Sequence, residues 1–207
     1  MMKHEITAII FDMGRVLLDF SPEKILTPYF TDEDDCAMMK AIIFDSGEWD
    51  RLDAGDFSED EALDMWLART PDRLKNALRT MFAEWHNYLT PIAGMAELIA
   101  ELKQNGYRCY LCSNTAARFE VYWRESEALR LLDGHFVSAF HKLMKPSAAM
   151  YEKMFRTFSL TPEECFFVDD RSINIEGAAR LGMRGFLFET YDTDALKEAM
   201  RKEGIRI

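Results

Sequence analysis

The sequence has little positive charge, since 25 Lys and Arg residues stand against 36 Asp and Glu and give a formal net charge of −11. Nucleic acids and anionic membranes are bound by basic surfaces, so we expect neither as a partner. The chain also lacks an apolar run near the roughly 18 residues that cross a bilayer. No signal-like apolar run precedes the first predicted strand. We therefore expect a cytoplasmic protein that binds a small molecule.

Cysteine is sparse, with four residues in 207. Cys109 and Cys112 have a spacing seen in zinc sites, but they lie inside an apolar strand pattern and no second Cys or His pair accompanies them. The four His residues form no ligand cluster in the sequence. The pattern favours buried structural thiols over a metal site.

Three apolar runs each end in a polar or acidic side chain. Residues 8–11 precede Asp12, residues 110–112 precede Ser113, and residues 165–168 precede Asp169 and Asp170. Such runs are typical of strands buried on both faces, and ligands of open α/β sheets bind at the carboxyl ends of their strands. Taken singly, each side chain has a second interpretation as a turn or cap residue.

A lysine, Lys145, precedes Pro146 between the second and third of these runs. A strand-end Asp, a strand-end Ser, a Lys and a strand-end acid pair, in this order, resemble the four motifs of the haloacid dehalogenase-like (HAD) hydrolases over residues 6–188. The resemblance implies an α/β fold with a Rossmann-like parallel sheet of about five strands. It also implies a core domain of residues 1–17 and 91–207, and a small helical cap of the C1 type at residues 18–90.

The helical pattern of residues 18–90 supports an inserted bundle. Ser21 before Pro22 predicts a helix start, and residues 58–61 form a capping box. Residues 46–56 are rich in Gly and acid, and we expect a loop there, in which Trp49 and Arg51 are candidates for substrate selection. A solvated connector is the alternative.

The remaining chain alternates between strands and helices, which predicts right-handed crossovers and a parallel sheet covered on both faces. We expect strands at 108–113, 136–140, 165–169 and 185–188. We also expect a capping box at 161–164 and a helix at 174–181.

The resemblance assigns roles to the strand-end residues. Asp12 would attack phosphorus and form an aspartyl-phosphate, while Lys145 would neutralise charge on Asp12 and on the transferring group. Ser113 and Asn114 would bind phosphoryl oxygens. Hard oxygen ligands without His or Cys point to Mg²⁺. Its ligands would be Asp12, the backbone carbonyl of Gly14, Asp170 and the adjacent Asp169. Asn174, where the family often has another acid, would support these ligands.

Gly14 departs from the family pattern. HAD phosphatases usually carry a second Asp two residues after the nucleophile, where it protonates the leaving group; a branch that includes sugar phosphatases has Gly there. Asp19, Glu48 and Asp53 are candidates to replace that acid.

The sequence is compatible with three functions. A Mg²⁺-dependent phosphatase of a small phosphorylated metabolite, with a sugar phosphate as one candidate, is favoured by the acid pair at 169–170. A 2-haloacid dehalogenase would use the same Asp without a metal. A binding or regulatory protein would retain the phosphate site without turnover.

Overall fold

The computed structural model describes residues 4–207. Its strands are β1 (Ala8–Phe11), β2 (Leu18–Asp19), β3 (Thr90–Pro91), β4 (Arg108–Ser113), β5 (Gly134–Val137), β6 (Cys165–Asp169) and β7 (Arg184–Leu187). Its α-helices are α1 (Pro22–Leu26), α2 (Glu33–Ile43), α3 (Glu48–Asp53), α4 (Glu59–Arg69), α5 (Lys75–Glu84), α6 (Met95–Gln104), α7 (Phe119–Tyr122), α8 (Glu127–Leu131), α9 (Ser138–His141), α10 (Ala148–Phe158), α11 (Ser172–Ala179) and α12 (Thr193–Lys202). Short 3-10 turns occupy Asp72–Leu74, Trp85–Tyr88, Trp123–Glu125 and Pro162–Glu164.

Five strands form one parallel sheet in the order β5-β4-β1-β6-β7, so the expected α/β class and Rossmann-like sheet are confirmed. The central strand β1 is buried along its whole length, as its apolar sequence requires. Parallel pairing brings the carboxyl ends of β1, β4 and β6 to one edge of the sheet. The residues that follow these ends therefore lie together.

Alternation along β1 divides the hydrophobic core between the two faces of the sheet. Ile9 and Phe11 contact one cluster, which continues into the buried residues of α2 to α5. Ala8 and Ile10 contact a second cluster around Tyr151 on α10. The first cluster is shared by the sheet and the inserted helices, so these helices cover one face of the core.

Helices α1 to α5 lie between β2 and β3, which pair antiparallel where the chain leaves the sheet layer and returns to it. Ser21 caps α1 with Pro at its first turn, and Ser58 and Glu61 form the predicted capping box of α4. The division into a core and a cap at 18–90 is compatible with this connection and stays a prediction. Among residues 4–207, the structure holds no helix of the length and apolarity that a bilayer crossing requires.

The expected strand 136–140 is wrong in its second half, because β5 ends at Val137 and Ser138 begins α9. The Ser138 hydroxyl accepts the backbone N–H of Thr115 at 2.8 Å, and this contact joins the turn to the loop after β4. The capping box expected at 161–164 is also absent, since Thr161 makes no side-chain cap bond to the 3-10 turn that follows it.

The expected loop at 46–56 contains helix α3. Gly47 adopts the left-handed conformation (φ 80°) before the helix, and Glu48 and Asp50 lie in its first turn, where the helix dipole favours acids. Trp49 and Leu52, three residues apart, are both buried. The composition suggested a loop, but this short apolar face makes a helix.

Candidate active site

Asp12 is held at the end of β1 by backbone hydrogen bonds. Its N–H donates to the carbonyl of Val168 at 2.9 Å, which continues the pairing of β1 with β6. The N–H of Met13 donates to the Asp12 Oδ1 at 2.7 Å. The side chain is 11% exposed, so a reactive carboxylate here has a fixed orientation and a narrow access.

Lys145 is the cation of the site and is almost fully buried. Its Nζ lies 2.9 Å from Asp12 Oδ1 and 2.6 Å from Asp169 Oδ2. Burial lowers the pKa of Lys145, but the attraction of Asp12 and Asp169 outweighs it, and the net effect raises that pKa. The two carboxylates therefore favour the charged form of Lys145 beside Asp12.

Asp169 is fully buried, and both of its oxygens accept hydrogen bonds from the chain. Besides Lys145, the N–H of Arg171 donates to Oδ1 at 2.9 Å, and the Asn174 amide donates to Oδ1 and Oδ2 at 2.9 and 3.1 Å. Asn174 thus supports an acid of the site. Asp169 in turn orients both Lys145 and Asn174.

Asp12, Asp169 and Asp170 each offer a carboxylate oxygen within 4.8 Å of the others. Burial raises the pKa of Asp12 to about 6; Lys145 opposes this rise and Asp169 adds to it. Burial, followed by the charge of Asp169, also raises the pKa of Asp170. Three acids this close repel one another when ionised, and a divalent cation would relieve that repulsion.

The residues present fit a magnesium ion. The cluster supplies oxygen ligands, which Mg²⁺ prefers. In addition, the buried Oδ1 of Asn174 has no hydrogen-bond partner among residues 4–207. Such an oxygen calls for a partner from outside the chain, such as water on a cation.

Ser113 and Asn114 line the same cavity at the end of β4. The Asn114 side chain is occupied, since its Nδ2 donates to the Lys145 carbonyl at 3.0 Å and its Oδ1 accepts the Lys145 N–H at 2.8 Å. The side chain therefore positions Lys145, and a contact of Asn114 with a phosphoryl oxygen would come from its backbone N–H.

Gly14 also lines the cavity, and its φ is not positive. A Cβ built on Gly14 would meet nothing nearer than Phe20 Cβ at 3.9 Å, so the position has room for a side chain that the sequence does not supply. Arg15 follows with φ 59° and places its guanidinium 3.5 Å from the Asp170 carboxylate.

The cavity has a volume of about 370 Å³. Its floor contains Asp12, Ser113, Lys145 and Asp170. Its apolar lining, which we call the apolar wall, consists of Met13, Leu18, Phe20, Trp49, Trp85 and Leu89. The acids Asp50 and Asp53 of α3 also open on this space.

Of the two candidates for substrate selection, only Trp49 lines the cavity. Arg51 is mostly exposed, pairs with Asp56 at 3.2 Å and lies over the ring of Phe57, outside the cavity. The spacing of Trp85 is that of a core residue of the inserted bundle, so the sequence does not identify it as a site residue, yet it lines the cavity. The signal in the sequence is the position of Trp85 shortly before the chain returns to the sheet layer at β3.

Comparison with known proteins identifies the family of the chain. The family model for haloacid dehalogenase-like hydrolases matches residues 6–182. The chain is 28% identical over 194 residues to the sesquiterpene phosphatase astK of Aspergillus oryzae, covering 93% of each chain.

Two solved structures show the same fold. A HAD-like family hydrolase from Porphyromonas gingivalis matches with a TM-score of 0.73 and 20% identity over 96% of this chain and 99% of that one. The L-2-haloacid dehalogenase from Xanthobacter autotrophicus matches with a TM-score of 0.65 and 20% identity over 87% and 76%. The family model spans most of the chain, and the chain therefore belongs to the haloacid dehalogenase-like hydrolases.

Proposed function

We propose that this hydrolase is a Mg²⁺-dependent phosphatase that acts on a small phosphorylated metabolite through an aspartyl-phosphate on Asp12. The observation that carries the proposal is the convergence of Asp12, Asp169 and Asp170 within 4.8 Å beside the buried Lys145. A phosphate monoester repels an attacking carboxylate because both are anionic. Concentrated positive charge at the site removes this repulsion.

We assign the metal ligands to Asp12, the Gly14 carbonyl and Asp170. Bound Mg²⁺ would supply the charge that stabilises the phosphoryl oxygens. Asp169 was a further candidate, but its oxygens already accept hydrogen bonds from Lys145, Arg171 and Asn174. We therefore assign Asp169 to holding Lys145 in place.

Several side chains would contribute to the first step, the formation of the aspartyl-phosphate. Asp12 is oriented by the Met13 N–H to attack phosphorus, and Lys145 neutralises charge that would otherwise accumulate on Asp12 and the phosphoryl group. Ser113 and the backbone N–H of Asn114 would orient the phosphoryl oxygens. The surrounding burial excludes bulk water, which strengthens these interactions.

The apolar wall favours a substrate whose organic body is apolar or aromatic. Phe20 and Trp49 lie 5.9 Å apart between ring centroids, and Trp49 and Trp85 lie 5.2 Å apart, so the wall is a continuous aromatic surface. A sugar would leave most of this surface without a matching group. The name of the sesquiterpene phosphatase relative supports an apolar body, and a sugar phosphate is the weaker candidate.

A 2-haloacid dehalogenase is the alternative, and likeness of fold does not exclude it because an L-2-haloacid dehalogenase has the same fold. The acid cluster supports the phosphatase. Asp169 holds Lys145 and would serve either reaction, but a displacement of halide by Asp12 gains nothing from the metal ligand Asp170 beside the nucleophile.

The experiment is a release assay with purified protein. Terpenyl, aryl and sugar phosphates are each supplied with Mg²⁺ or with EDTA, and L-2-chloropropionate serves as the haloacid control. We expect phosphate release that requires Mg²⁺, fastest for apolar esters, and no chloride release. Asp170→Asn should raise the Mg²⁺ concentration needed for half-maximal rate.

Two outcomes would contradict the proposal. Chloride release, or phosphate release that survives EDTA, would favour dehalogenase-type chemistry. Binding of a phosphate ester without any turnover would favour a binding or regulatory protein.

A further inference from the structure

The proposed function leaves one proton without a donor, because Gly14 occupies the position of the usual acid. An alkoxide leaving group needs a proton as its bond to phosphorus breaks, and general acid catalysis is typically worth about 10² to 10⁴ in rate. The structure allows the three candidate acids, Asp19, Glu48 and Asp53, to be compared directly.

Asp19 and Glu48 are engaged elsewhere. The Asp19 carboxylate is paired with Lys24 and accepts the Tyr191 hydroxyl at 3.1 Å, and the hydrogen bond from Lys24 lowers its pKa. Glu48 is paired with Arg69 and is not among the residues that line the cavity. Asp19 is therefore held as a paired anion, and Glu48 lies outside the reaction space.

Asp53 lies at the end of α3 and lines the same cavity as Asp12. Its carboxyl accepts a hydrogen bond from the backbone N–H of Ala116, in the loop that follows Ser113 and β4. Within residues 4–207, no Lys, Arg or His forms an ion pair with it, in contrast to Asp19 and Glu48. Asp53 thus opens on the reaction space without a cation to hold its charge.

The end of α3 is fixed against the sheet layer. The Ser138 hydroxyl donates to the carbonyl of Asp53 and accepts the N–H of Thr115. Two residues after Asp53, Gly55 has φ 74° and lies so close to α9 that a Cβ there would come within 2.5 Å of the Ala139 carbonyl oxygen. These contacts join the end of α3 to α9 and to the loop that follows Ser113.

The surroundings of Asp53 favour its protonated form. Burial raises its pKa well above the usual range, and the negative charges of Asp50 and Asp12 add to this rise. The Ala116 N–H opposes it. The Tyr122 hydroxyl, whose own pKa burial raises, is the other titratable group that interacts with Asp53.

We propose that Asp53, from the inserted helices, is the general acid and base that replaces the side chain missing at Gly14. This inference rests on the proposed function. In the first step Asp12 bonds to phosphorus, the bond from phosphorus to the leaving oxygen breaks, and the Asp53 proton passes to that oxygen to give the alcohol. In the second step the Asp53 carboxylate takes a proton from water, and the hydroxide oxygen bonds to phosphorus. The bond from phosphorus to Asp12 then breaks and releases inorganic phosphate.

The test compares leaving groups. Wild type, Asp53→Asn and Glu48→Gln are assayed with Mg²⁺ on a series from acetyl and 4-nitrophenyl phosphate to alkyl phosphates. For wild type we expect log kcat/KM to fall only shallowly with leaving-group pKa. Asp53→Asn should lose about 10² to 10⁴ in kcat/KM on alkyl esters and less than about threefold in kcat/KM on acetyl phosphate, whose leaving group needs no proton. The comparison uses kcat/KM because this quantity ends at the first irreversible step and so leaves out the later hydrolysis of the aspartyl-phosphate, in which Asp53 acts for every substrate. Glu48→Gln, on the same helix but outside the cavity, should match wild type.

Rescue provides an independent readout. Gly14 has room for a side chain. Adding Gly14→Asp to Asp53→Asn should therefore raise alkyl ester turnover at least about tenfold above that of Asp53→Asn alone. A structural role of Asp53 would give equal losses on all substrates and no rescue.

Each remaining outcome has a definite meaning. A steep fall of log kcat/KM with leaving-group pKa in wild type would overturn the Asp53 proposal but not the proposed phosphatase function. This measurement needs no variant, so it does not depend on the folding of Asp53→Asn. Equal alkyl turnover by Asp53→Asn and wild type would overturn the same proposal. Absence of phosphate release from acetyl and 4-nitrophenyl phosphate would overturn the proposed function itself, and the Asp53 proposal with it.

Discussion

The floor and the apolar wall of the cavity are built on different principles. On the floor, buried charges are paired at short distance, with Lys145 Nζ 2.9 Å from Asp12 and 2.6 Å from Asp169. On the wall, rings meet edge to face or tilted, as Trp85 meets Trp49 with an interplanar angle of 73°. Paired charges demand one geometry, whereas ring contacts tolerate several. The floor is therefore suited to one reaction, and the wall is suited to selecting the organic part of the substrate.

The largest effect should come from removing the nucleophile. Asp12→Asn keeps the size of the side chain but replaces a carboxylate by a poor nucleophile, so we expect turnover to fall by roughly 10⁴-fold or more. The measurement is steady-state phosphate release, with circular dichroism to verify the fold. Asp45→Asn, on an exposed residue outside the cavity, is the control and should match wild type. Retention of more than about a tenth of the wild-type rate would require a different nucleophile.

The second effect concerns stability of the floor. Lys145→Met leaves Asp12 and Asp169 buried without their cation, and breaking such a pair typically costs about 3–5 kcal/mol. We expect that loss in the free energy of unfolding by urea at pH 7.5 in EDTA. Lys142→Met removes an exposed lysine three residues away and should cost less than about 0.5 kcal/mol. Equal losses in the two variants would show that the Lys145 ion pairs contribute little.

The sequence predicted the floor better than the wall, for a physical reason. Strands β4 and β6 have the predicted bounds, because an unbroken apolar run is a sufficient signal for a strand buried on both faces. Once these strands are parallel, their carboxyl ends meet at one edge. Asp12, Ser113, Lys145 and Asp170 consequently line one cavity, as expected from their positions in the sequence.

The wall depends on contacts between distant segments, which local pattern does not contain. Trp85 fits a bundle stripe equally well whether it meets another helix or a substrate. Residues 46–56 have the composition of a loop, yet Trp49 and Leu52 make a helix because they are buried by other segments. The hydrogen bond from the Ala116 N–H to Asp53 likewise joins α3 to the loop after β4. Only the packing of the helices on the sheet reveals it.

The smallest effect should separate the wall from the helical core behind it. Trp85 and Trp66 are both buried, and the Nε1 of each has no hydrogen-bond partner among residues 4–207. Changing either to Phe therefore removes similar volume and breaks no hydrogen bond. Trp85 lines the cavity, while Trp66 packs behind Trp49 at a ring distance of 6.0 Å. The two variants form a matched pair that differs in contact with substrate.

We expect Trp85→Phe to lower kcat/KM for a terpenyl phosphate by about tenfold, since small changes in an apolar pocket are worth about 1–3 kcal/mol. Turnover of acetyl phosphate, which has no large apolar body to place against the wall, should change by less than about twofold. Trp66→Phe should lose comparable stability to heat but keep the ratio between the two substrates. If both variants shift that ratio equally, the wall acts through the packing of the inserted helices. If neither shifts it, the apolar body of the substrate lies elsewhere, and the aromatic surface serves only to close the cavity over Asp12.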